Sequence, residues 1–108
     1  MQRRSFPRLR ISSDARILTR EGYFPGTLEN ISLSGLFVRT VGKVSMGDTS
    51  EITIPLPAVS RQESLQLRGI AVRIETDGIA FRIGTIDHAT FSHLKSILKN
   101  KAVRKLAA

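Results

Sequence analysis

The residues with chemical potential in this sequence are arginines and small polar groups at two fixed spacings. Arg4 and Arg8 stand four apart within Arg3-Arg4-Ser5-Phe6-Pro7-Arg8, and Asn30-Ile31-Ser32-Leu33-Ser34-Gly35 lies between two strand-like runs. A guanidinium presents a planar fork of donors that matches phosphate oxygens and base edges and can stack on a ring. Side chains alternate along an extended chain, so Arg4 and Arg8 point the same way, about 13 Å apart at roughly 3.3 Å per residue. That spacing suits an elongated ligand with two charged or planar ends. Pro7 lacks an N–H and pushes Phe6 out of the helical region, so the segment reads as extended and partly pre-organised. Asn, Ser and Gly at the second site have the chemistry of a tight turn, in which side chains bond nearby backbone. Taken singly, the first cluster reads equally as a solvated basic tail and the second as an ordinary loop. Their occurrence together, ahead of a strand-rich pattern, predicts an anion-binding arm facing a polar turn.

The elements that must position these residues are mostly strands. Ala15–Arg20 reads as a first strand closed by Glu21-Gly22, with Thr27–Ile31 and Leu36–Arg39 as the second and third on either side of the polar motif. Glu51–Leu56 alternates with period two, but Pro55 cannot donate to a ladder, so this strand ends there or lies at an edge. Pro55 and Pro57 open a loop reaching about Glu63. In the fifth strand Leu65 and Leu67 have one parity and Ile70, Val72 and Ile74 the other, and a bulge at Arg68-Gly69 would restore a single face. Thr76-Asp77-Gly78 carries hairpin-turn chemistry before Ile79, Phe81 and Ile83. Asp87 is the expected N-cap of a helix whose apolar face is Phe91, Leu94, Ile97 and Leu98. The expected fold is all-β with a C-terminal helix: a small six-stranded antiparallel barrel, closed so that no edge is exposed. The expected organisation is an arm over 1–12, barrel plus helix over 13–100 and a basic tail over 101–108, with the helix on one mouth or against the side.

Composition narrows the partners. The 108 residues suit one small domain, there is no cysteine for a disulfide or thiolate metal site, and no long apolar run reads as a leader or membrane span. A soluble protein of the reducing cytoplasm is expected. The formal net charge of +8 calls for an anionic partner. Catalysis is not expected: His88 and His93 are five apart, off the spacing that shares a helical face, and the acids are scattered. No phosphate-cradling glycine loop or nucleophile elbow occurs, and no metal site is expected.

On these residues the chain resembles the PilZ family, whose members bind cyclic di-GMP through RxxxR and [D/N]xSxxG motifs. Arg4 and Arg8 match the first, and Asn30, Ser32 and Gly35 the second; Gly69–Ile74 and Asp77–Phe81 are similar to the family's late strand pair. Two positions depart: Leu36 replaces a frequent glycine, and Arg73 a frequent aromatic residue. The resemblance implies a receptor with cyclic di-GMP as ligand and no cofactor. It implies that Arg4 and Arg8 reach the phosphates and guanine edges while Asn30 and Ser32 hydrogen-bond a guanine, with alanine at either position leaving the fold nearly intact. Gly35 would admit close backbone approach, and Arg3 would meet a second ligand molecule. The signal would pass, as the arm orders over the ligand, to a downstream protein, and the basic tail would serve a partner or a helix-mediated homodimer. The rival readings are a basic barrel for nucleic acid, disfavoured by the absence of Trp and the single Tyr23, and a PilZ-like adaptor that binds no nucleotide, disfavoured by the intact motifs.

Overall fold

The computed structural model describes residues 8–55 and 64–107, with the backbone alone for 100–107. Arg3, Arg4, the Pro57 loop and Ala108 lie outside the described residues. Six antiparallel strands, β1 (Leu9–Thr19), β2 (Gly22–Ile31), β3 (Gly35–Arg39), β4 (Thr49–Pro55), β5 (Ser64–Glu75) and β6 (Gly78–Ile83), precede one helix, α1 (His88–Ala107). They form a closed barrel in the order β1-β2-β3-β6-β5-β4. The expected fold class is therefore the observed one.

Alternation of apolar residues builds the interior. Ile17, Leu36, Ile52 and Ile54 are fully buried and Leu28 and Phe81 nearly so, each burial stabilising by about 1.5–3 kcal/mol. Leu94 and Ile97 join this core from α1, while Leu98 packs against it, so three of the four residues of the expected helical face dock; Phe91 is half-buried and outside the core. Asp87 caps the helix as expected: its Oδ1 accepts the Thr90 N–H at 2.8 Å. That bond to the ionised form holds the Asp87 carboxyl below its ordinary pKa. The helix continues through the expected basic tail to Ala107.

Several strand boundaries differ from expectation, for identifiable reasons. β1 starts at Leu9, well before Ala15, because one extra residue is absorbed between Arg10 and Ser13, opposite Asn30 and Leu28 of β2. β2 extends back through Pro25, and its pairing with β3 begins only at Thr27, so the missing N–H interrupts no β2–β3 bond there. The expected bulge at Arg68-Gly69 is absent: the β4–β5 register runs unbroken from Ile70 to Ser64. The irregularity falls instead between Ala71 and Arg73. Leu65, Leu67, Gly69 and Ala71 face the core in one parity, while Val72 and Ile74 are 43% and 47% exposed. The last hairpin turns on Thr76-Asp77 alone, with Gly78 already paired to Glu75. Gly78 has no positive φ; a Cβ there would lie 2.5 Å from the Phe37 ring and 2.6 Å from the Val38 oxygen, so strand packing, not turn geometry, requires it.

Candidate functional site

Ile31 and Leu28 are both buried although three residues apart, which a regular strand cannot achieve because its faces alternate every residue. β2 achieves it by spending an extra residue between Leu28 and Asn30 against the Val38–Phe37 step of β3. With the extra residue of β1 at the same level, Asn30 is set on the outer surface between two irregularities that re-aim it. Asn30 pairs with Arg10 and with Phe37, Phe37 with Ala80, and Ala80 with Arg73. These five residues make one outward row across β1, β2, β3, β6 and β5. Glu29, beside Asn30, is ion-paired with Arg39, and this neighbour raises the Arg39 pKa through its hydrogen bond and its charge.

The turn that follows is organised by Ser32. Its N–H donates to the Gly35 oxygen at 2.8 Å. Its Oγ accepts the N–H of Ser34 at 3.2 Å and of Gly35 at 3.3 Å. The same hydroxyl lies 3.2 Å from Ser34 Oγ and 3.4 Å from the Gly35 oxygen. Ser32 is fully buried, and its hydroxyl holds backbone groups that would otherwise lack partners. A guanine contact from this hydroxyl, as the resemblance implies, would require the turn to open. The Ile83 N–H donates to the Ser34 oxygen at 2.9 Å, fastening the turn to the end of β6 from which the chain passes into α1.

Gly35 opens β3 as the partner of Arg82. A Cβ on it would stand 2.7 Å from the Phe81 oxygen and 3.7 Å from Arg8 Nη2. The sequence supplies a reason based on ligand approach; the barrel adds a stronger one, because no side chain fits between β3 and β6 here. Leu36, where the family often has glycine, is fully buried against the opposite face, and Arg73 is bonded to Glu75 at 2.5 Å.

Arg8 immediately precedes β1. Its Nη1 donates to Asn30 Oδ1 at 2.5 Å, across 22 positions of sequence. Of the six site residues expected from sequence, Arg8, Asn30, Ser32 and Gly35 come together here. Sequence reasoning did not single out Arg10, Arg82 or Phe37 for the site; alternation around Ile79, Phe81 and Ile83 marks Arg82 as outward, but only the register shows it beside Gly35. Among the described residues there is no cluster of three or more His, Cys, Asp or Glu that could hold a metal, and no helix is long and apolar enough to cross a membrane.

Comparison with known proteins agrees with this architecture. The chain superposes on Bacillus subtilis inhibitor of motility (MotI/DgrA) with a TM-score of 0.82 at 19% identity, covering 97% of this chain and 54% of that one. The PilZ domain with c-di-GMP of YcgR from Escherichia coli gives 0.76 at 14% identity, covering 98% of both. The K. pneumonia MrkH–c-di-GMP complex gives 0.78 at 12% identity, over 99% of this chain and 56% of that one. The chain thus spans about half of MotI/DgrA and of MrkH and nearly all of the YcgR domain. No curated protein sequence matches it. A family model for the PilZ domain matches residues 2–100, taking in both polar motifs, the whole barrel and most of α1, and on that match the chain belongs to the PilZ domain family.

Proposed function

We propose that this protein is a receptor for cyclic di-GMP, bound on the outer face of the barrel between the start of β1 and the turn after β2. The observation that carries the reading is the 2.5 Å contact of Arg8 with Asn30, which joins the two motifs at one place. The MrkH complex and the YcgR domain both hold c-di-GMP, which adds support from fold. Arg8 and Arg4 supply planar forks for phosphate and for the guanine edge. Asn30 offers an amide to a base, and Ser32 keeps the turn in shape. Arg3 contributes a further cation, with room for a second ligand molecule.

Ligand binding orders the N-terminal arm across this face, and a partner protein distinguishes the two states; differential affinity for them is what transmits the signal. The start of α1 at the same end of the barrel gives that signal a neighbouring surface. Calorimetric titration tests the reading, with cyclic di-GMP expected to bind far more tightly than GMP. Equal affinity for the two would overturn it.

A further inference from the structure

The first and last residues of the polar motif each lie beside an arginine in a neighbouring strand. Asn30 is the Cα partner of Arg10, and Gly35 the Cα partner of Arg82. Both arginines are exposed. The ion pairs among the described residues neutralise Arg39, Arg68 and Arg73 through Glu29, Glu51 and Glu75. Neither Arg10 nor Arg82 has such an acid, and neither makes a side-chain hydrogen bond there.

The ground beside Arg82 is low. Gly35 has no side chain, and Ala80, outward in the next row, is small and only 7% exposed. The position a Gly35 Cβ would occupy lies 3.7 Å from both Arg8 Nη2 and the Arg82 Cα, so Arg8 and Arg82 border one notch, and Arg10 stands beside Asn30, to which Arg8 is bonded. Like charges gathered at one place repel one another, and a bound anion relieves that cost.

We propose that Arg10 and Arg82 form a two-sided clamp for the phosphates of the ligand, one from β1 and one from β6, in addition to the arm arginines. This rests on the cyclic dinucleotide reading, whose ligand carries two phosphates. A guanidinium at each side matches a dianion by charge and by its fork of donors.

The test is a calorimetric titration of cyclic di-GMP into the parent, Arg10→Gln, Arg82→Gln, Arg82→Lys and Arg16→Gln proteins in one buffer at physiological salt. Arg16 is a charge-matched control that pairs with Pro25 and Thr53, about 20 Å along β1 from Arg10 at roughly 3.3 Å per residue. Arg10→Gln and Arg82→Gln should each weaken binding about tenfold or more, with Arg82→Lys recovering part of the loss. Arg16→Gln should stay within about twofold of the parent, since it lies beyond a Debye length from the notch. If the two glutamine variants bind like the parent, or if Arg16→Gln loses as much as they do, the clamp is overturned while the receptor reading stands. A parent that does not bind the dinucleotide overturns both.

Discussion

Gly35 and Phe81 approach so closely that a methyl group on the glycine would sit 2.7 Å from the phenylalanine's carbonyl oxygen. The obstacle is backbone of a paired strand, which cannot swing aside as a flexible side chain would. Gly35→Ala must therefore spread β3 from β6 or distort the turn, and overpacking of this kind costs about 1–3 kcal/mol. Thermal melting should show a clear fall, each kcal/mol lowering Tm by about 4–8 °C in a domain near this size. An unchanged Tm would mean that the notch is more compliant than its geometry implies.

Ser32→Ala should also reduce stability. The hydroxyl is fully buried and serves the N–H groups of Ser34 and Gly35. Orphaning buried groups costs about 1–3 kcal/mol, so the variant should melt several degrees lower, unlike the intact fold expected from the motif alone. Asn30→Ala, at a half-buried outward position, should retain the parent's melting temperature and lose affinity for cyclic di-GMP. The two alanine variants are thus separated by melting and titration together.

Where a residue's role follows from its neighbours in sequence, it was legible. The N-cap at Asp87, the docking face of α1 and the end of β4 at Pro55 are local consequences of side-chain chemistry and period. The six-strand barrel followed from alternation, and the polar turn from its composition. The bulges were not legible, since they depend on which strand lies alongside. Parity in β5 suggested Arg68-Gly69, yet the core accepts Gly69 and Ala71 in the phase of Leu65 and leaves Ile74 at the exposed end of the strand. The spacing of Leu28 and Ile31 was a usable sign of the irregularity beside Asn30. Arg10 and Arg82 could be read as outward but not as neighbours of the motif, because register is set by the closed barrel rather than by either strand alone.

Acid should weaken the helix cap in a predictable direction. Asp87 has a pKa below the usual carboxylate value because its ionised form accepts the Thr90 N–H. A depressed folded-state pKa contributes stability above the unfolded value, and that contribution is lost as pH falls through the folded value. Asp87→Ala should therefore melt below the parent at neutral pH, with the gap narrowing once the pH drops beneath the ordinary Asp range. A gap that stays constant with pH would show that the charge of the cap contributes nothing.

Arg8→Ala gives the most direct test of how the arm takes part. Arg8 joins the arm to the barrel at Asn30, and it follows Pro7, where backbone freedom is least. Charge-assisted bonds to a ligand are worth about 1.5–3 kcal/mol each, and every 1.4 kcal/mol or so is tenfold in affinity. Removing the side chain should therefore weaken cyclic di-GMP binding about ten- to a hundredfold, with Arg3 and Arg4 still present. The fold should hardly notice, since Arg8 is exposed and such substitutions usually fall within about 0.5 kcal/mol. Arg8→Lys should restore part of the affinity, because the charge returns but the planar fork that spans two acceptors does not. With all three proteins titrated in one buffer and melted in parallel, parent-like affinity in Arg8→Ala would leave the contact with Asn30 as packing at the mouth of the barrel and remove the arm from ligand recognition.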